Sequence, residues 1–408
     1  MAITHRPVSN EPPPGRAPLP AKPAFALWAL GFRPFYLLAA LFAALSIPLW
    51  ALQFAGWLPH AVLQGPAWHA HEMLFGFTLA VIVGFLFTAG RNWSGQPTPT
   101  GRALMLLALL WLAGRVLVLS PWPLAAALVN VAFPWAAAWG LGRALIAGGN
   151  RRNYFFVVLL VLLGLLAALV HASAWRGGSL QGSAALQVGL DVVLLIMAIM
   201  TGRVVPMFTN NGVPGAAAVR HAKLEQAAIG SVLVLLAIDA APVLGLSAPP
   251  LLLATVAAVA AVLHAVRLGY WQPWTTRRTP LVWVLHLAYA WIPLHLLLRA
   301  GAAAAWWPPG PATHALTTGA IGLLTLAMMT RSARGHTGRP LRADRFDVAS
   351  YGLVALAAAL RTVVPLAWPA GLVEAVLVSA LAWSAGWALF AWHYGPWLCR
   401  ARLDGQPG

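Results

Sequence analysis

The chain has 408 residues, of which 60% are hydrophobic and only 9% charged, and its mean hydropathy is +0.76. A soluble domain carries about 25% charged residues, so this composition excludes a soluble globular fold and points to an all-α polytopic membrane protein. The net charge of +17 would suggest nucleic acid in a soluble chain; the placement of the bases, set out below, excludes that partner too.

Residues 1–24, with EPPPGRAPLPAKP among them, lack the apolar run of a signal peptide and read as a flexible, Pro-rich cytoplasmic tail. A bilayer crossing takes roughly 20 apolar residues. On that measure helices are predicted over 33–52, 68–90, 101–119, 122–147, 153–175, 183–207, 224–244, 249–269, 281–300, 312–333, 346–367 and 370–395. They form one twelve-helix transmembrane domain over 25–398, followed by a short cytoplasmic tail, 399–408. Started from inside, this topology puts all of the 26 Lys and Arg on the inner side except Arg115, Arg176, Arg299 and Arg361. Such a positive-inside bias places both termini in the cytoplasm. The basic charge thus reports topology and contact with anionic lipid.

There is a single cysteine, Cys399. One thiol excludes an intrachain disulfide, a CxxCH haem attachment and a cysteine-paired copper centre. Any metal must be held by His, Met or carboxylate.

Three helix ends resemble one another: TAGRNWSGQP, TGRVVPMFTNNGVP and TRSARGHTGRP each carry a Gly-x-Pro, at Gly95/Pro97, Gly212/Pro214 and Gly338/Pro340. The latter two read as polar inner loops. Helices 2 and 10 also share an upstream register, with His71 and His314 each 24 residues before that glycine and Gly76 and Gly319 five after the histidines. The pattern suggests a pseudo-threefold repeat of four-helix units.

Ionisable residues inside a membrane are functional candidates by default. His69, His71 and Glu72 open helix 2 in WHAHEMLFGF; His295 and His314 lie at the same, outer level, as do Asp191, Asp239 and Glu374. His171 and His60 read as interfacial polar groups, and His264, His286 and His393 as partners of neighbouring helices. Imidazole is the usual axial ligand of haem b and also suits copper. Successive helical residues turn by about 100°, so His69 and His71 point about 200° apart and cannot share one metal on a regular helix. The expected haem pair is His71 with His314, which leaves His69 for a second centre with His295 or His171. Glu72 is expected either to pair with Arg361 or Arg299 or to carry protons, as Asp191 and Glu374 are.

GFRPFYLLAALFA, WHAHEMLFGF, GRVVPMFTNNG and AIGLLTLAMMTRSARGHTGRPL resemble the signatures of the NnrS family, over residues 28–395. The resemblance implies a multi-pass protein of the bacterial inner membrane that contains haem and copper, is associated with denitrification and protects against nitric oxide and nitrosative stress. By motif it implicates His69, His71, Glu72, Arg203, Asn210, Asn211, His314, Arg331 and His336. A looser similarity in topology, to the catalytic subunit of haem–copper oxidases and nitric oxide reductases, matches His71 and His314 on helices 2 and 10. It departs at helices 6 and 7, which carry Asp191 and Asp239 but no histidine. Three functions stay open: a haem protein that binds or reduces nitric oxide with electrons from quinol or another donor, a transporter of a metal or iron–nitrosyl species, and a haem-bearing sensor or scaffold.

Overall fold

The computed structural model describes residues 25–54, 65–177 and 180–406; the Pro-rich tail over 1–24 and His60 lie outside them. Among the described residues the chain is all-α, with twelve long helices near the predicted positions. They are α1 Phe32–Phe54, α2 Gly65–Ser94, α3 Gly101–Leu117, α4 Pro123–Ala147, α5 Phe155–Trp175 and α6 Leu180–Gly212. The second half holds α7 Ala222–Ala240, α8 Pro250–Tyr270, α9 Pro280–Ala303, α10 Gly310–His336, α11 Arg345–Ala367 and α12 Leu372–Leu398. Eleven are long and apolar enough to cross a bilayer, whereas α3 has 17 residues, just below the roughly 20 of a crossing.

Sequential neighbours pack around a ring that closes where α12 meets α1. The most buried crossings are α2, α6 and α10, the three whose ends carry the Gly-x-Pro turns. The described chain ends lie together on one face: the Ala26 N–H donates to the Cys399 carbonyl at 2.9 Å. Arg33 Nη1 donates to the carbonyls of Leu398 at 2.9 Å and Arg400 at 2.6 Å, satisfying acceptors left open at the end of α12.

Two expected inner loops are in fact helical. Arg203 to Gly212 continues α6 through Pro206, and α10 runs on to His336. Proline is tolerated in a membrane helix where neighbours take up the freed backbone groups. Here Val205, Pro206 and Thr209 are buried, and Thr209 Oγ1 bonds His286 Nε2 of α9 at 2.8 Å.

Helices α2 and α10 share an irregularity that composition does not announce. Each widens into a π-helical turn one residue after its histidine, over Glu72–Thr78 and Ala315–Ile321. Gly76 and Gly319 lie inside these turns. At Gly76 the absent side chain admits Arg115 and Phe42, and Trp111 Nε1 donates to its carbonyl at 3.0 Å. Such wide turns recur at functional sites.

Helix α11 opens with a capping box: Asp344 accepts from the backbone N–H groups of Phe346 and Asp347, and Asp347 accepts from the N–H of Asp344. Partial burial pushes the Asp344 carboxyl up, but the Asp347 N–H, His393 and Arg334 outweigh it and hold it below its ordinary value. A depressed carboxyl contributes stability above its unfolded value, about 3.9, and loses it as pH falls through the folded one. Asp344→Ala is therefore expected to unfold at lower temperature than wild type near neutral pH, by about 1 kcal/mol for the lost cap. The gap should close on acidification below about pH 4. A gap that is constant across thermal melts from pH 3 to pH 7 would contradict this.

Candidate functional site

The 100° step along α2 sends His69 and His71 into different surroundings. His69 turns inward to a cavity of about 260 Å³ between α1, α2, α6, α10, α11 and α12, remote from the face that carries the chain ends. Its ring lies against Trp50, 5.0 Å between centroids. Across the cavity stands His314, whose Nδ1 donates to the Gly310 carbonyl at 2.8 Å. That bond fixes the tautomer, so Nε2 carries the lone pair, and Arg361 Nη2 donates to it at 2.8 Å. Leu186, Leu190, Phe77 and Trp383 make the remaining wall largely apolar, and among the described residues Arg361 is the one Lys or Arg that lines it.

His71 faces the other way and is fully buried. Its Nδ1 donates to Glu72 Oε1 at 2.8 Å, and the same oxygen accepts from Arg115 Nη1 at 2.7 Å; Arg115 Nη2 goes on to Asn130 Oδ1. His171 of α5 packs edge-on against the His71 ring, 4.9 Å between centroids. His71 Nε2 and both ring nitrogens of His171 are buried without a hydrogen-bond partner. Buried polar atoms of native proteins are almost always satisfied, so three bare imidazole nitrogens in one place mark a ligand-ready site.

The histidines therefore sort differently from expectation. His314 shares its cavity with His69, while His71 sits with His171. The structure does not bring His71 to the cavity that His314 lines, because the step from His69 to His71 carries the latter to another side of α2. His295 joins neither pair: its Nδ1 donates to the Ala312 carbonyl at 2.8 Å, and its Nε2 is bare. Glu72 pairs with Arg115 rather than with Arg361 or Arg299, and this doubly bonded carboxylate orients His71. Asp191 is buried against Arg299 at 2.9 Å. Glu374 is exposed in the first turn of α12 and does not reach the cavity.

The remaining motif residues hold the opposite end together. Asn210 clips the following loop through both backbone groups of Ala218, at 2.8 and 3.0 Å. Arg203 donates to Asn153 Oδ1 at 2.9 Å, Arg331 stacks 3.8 Å above the Phe208 ring, His336 packs on Phe32, and Asn211 is exposed. His264 bonds the Tyr289 hydroxyl at 2.6 Å, and His393 bonds Asp344 at 2.8 Å. Asp344, Asp347 and His393 each bring a ligand atom within 4.8 Å of the others. Arg334 donates to both carboxylates, at 2.7 and 2.6 Å, and Asp344 and Asp347 are committed to the capping box, so this cluster reads as a helix-end lock.

Reading the sequence named His171 only as an interfacial group or a partner of His69, and passed over the pairing of Arg115, Asn130 and the cavity side of Met73. The available signal was the cost of an ionisable or amide side chain in an apolar helix, which applies to the first three; nothing marks Met73.

A polytopic all-α membrane protein with two histidine pairs within its crossings is the class that fold and site define. The family is also defined: the model of the NnrS protein family matches residues 26–402, and the chain belongs to that family. Among curated proteins none matches it. Membership supports, at the level of the family, a role in the response to nitric oxide and nitrosative stress.

Proposed function

We propose that this chain is a haem-binding protein of the bacterial inner membrane that binds nitric oxide, and reduces it when quinol or another donor supplies electrons. The observation that carries the reading is the pair of imidazoles, His69 and His314, that α2 and α10 present to one largely apolar cavity. The donor set suits haem b: two histidines, one with its tautomer set by a backbone carbonyl, apolar walls, and Arg361 to receive a carboxylate. The Arg361 guanidinium stands at His314 Nε2, so that nitrogen would ligate iron or any other metal only with Arg361 turned off it, as a haem carboxylate would draw it. At about 260 Å³ the space is below the roughly 300–1,000 Å³ of pockets for drug-sized ligands, so a macrocycle enters only with lining side chains displaced. When bound, haem would supply the redox-active iron that ligates the gas. The chain's own part is to set the ligand nitrogens, exclude water and admit a small uncharged molecule from the bilayer.

His71 and His171 suit a second metal: imidazole takes copper, zinc, iron or nickel, and copper is the one the family resemblance implies. Glu72 would hold the His71 ring through Nδ1, the arrangement usual for metal-bound histidine.

Purified protein is expected to give a b-type reduced-minus-oxidised optical spectrum that shifts when nitric oxide is added to the reduced form. Well-folded protein without stoichiometric haem would overturn the reading.

A further inference from the structure

Behind the cavity wall lies a charged cluster that neither histidine pair uses. Asp191 of α6, Asp239 of α7 and Arg299 of α9 converge there. Arg299 Nη1 donates to Asp191 Oδ1 at 2.9 Å, its Nη2 donates to Asp239 Oδ2, and Gln187 Nε2 donates to Asp191 Oδ1 at 3.3 Å. The two carboxyls are thus held at one guanidinium, one at each of its terminal nitrogens. Two carboxylates against one guanidinium leave a net negative charge where Asp191 is 0% exposed. Charge is costly inside a membrane, and two carboxylates drawn to one guanidinium resist joint ionisation. One proton between them removes both penalties.

The surroundings give that proton a way in and a way out. Asp239 is the more open member, its side chain 10% exposed against 0% for Asp191. Asp191 Oδ2 is buried without a partner, and so is His295 Nε2, one helical turn from Arg299 on α9. Because His295 Nδ1 donates to Ala312, Nε2 is the basic nitrogen. His264 of α8 is close enough to act on it electrostatically. Neither group lines the cavity, but their neighbours do: Leu190, next to Asp191, and Thr313 and His314, which follow the Ala312 that holds His295.

We infer that Asp191, Asp239 and Arg299 form a proton-loading site at the cavity wall, with His295 Nε2 placed to accept the proton it holds. In the transfer a carboxyl O–H breaks and an N–H forms on His295. The cluster gains one negative charge and the imidazole one positive charge, and the cluster takes up the next proton from its more open side. Delivery to bound nitric oxide rests on the function proposed above; the loading site does not.

Infrared spectroscopy of the purified protein tests it without cofactor or substrate. Wild type should show a protonated-carboxyl C=O band that moves on ¹³C-aspartate labelling and on transfer to D₂O. The band should vanish in Asp191→Asn and in Asp239→Asn and survive in Glu374→Gln. In His295→Gln it should remain but exchange its deuteron roughly 100-fold more slowly, the scale of a positioned acid–base group. No aspartic acid band in labelled wild type, a measurement that needs no variant, overturns the loading site, as does a band that persists in both Asn variants. An unchanged exchange rate in His295→Gln overturns the role of that histidine.

Discussion

Arg115→Met is expected to destabilise the protein by about 3–5 kcal/mol, the usual cost of removing one partner from a buried ion pair. Glu72 and Arg115 are almost wholly buried, with side-chain exposures of 1% and 7%. Removal of the guanidinium strands a carboxylate whose Oε2 already lacks a partner, and also frees Asn130 Oδ1. Methionine matches the length of the stem, so the loss is mostly of charge pairing. Adding Glu72→Gln to the same chain should recover much of the deficit, because the second change deletes the stranded charge. Thermal unfolding of the three variants in one detergent gives the comparison. A single variant as stable as wild type would show that the pair is solvated, contrary to its burial.

The second large effect falls on α9. Arg299→Met leaves Asp191 and Asp239 facing each other with no cation, and about 3–5 kcal/mol is again expected. Rescue here should be asymmetric. Asp191→Asn, which neutralises the fully buried member, is expected to restore more stability in the Arg299→Met background than Asp239→Asn, whose side chain retains 10% exposure. Equal rescue by either change, read as midpoints of unfolding, would mean that both carboxyls are hydrated to the same degree.

Much of the fold was legible because its cause is local. Apolar runs of crossing length give eleven of the twelve long helices among the described residues, and they stand where the hydropathy of the chain puts them. The opposed directions of His69 and His71 follow from helical geometry alone. What they meet there does not. That His171 comes to His71 depends on how α5 packs near α2, and that His314 comes to His69 depends on a ring closed by α12 against α1. Neither crossing leaves a local trace in the sequence. The same limit explains the arginines. Counting charges by topology sets Arg115, Arg299 and Arg361 apart from the others, yet only packing shows that they lie inside, bonded to Glu72, to Asp191 with Asp239, and to His314. The π-helical turns were hidden for another reason. EMLFGFT and ALTTGAI have no composition that separates a wide turn from a regular one, although the shared spacing of His71 to Gly76 and of His314 to Gly319 pointed to both places.

The sorting of the histidines is the central claim, and optical spectra with metal analysis on four variants test it most directly. His69→Ala and His314→Ala are expected to lose the b-type haem signal, while His71→Ala and His171→Ala keep it and lose copper. A haem signal that disappears in His71→Ala and His314→Ala but persists in His69→Ala would contradict the account.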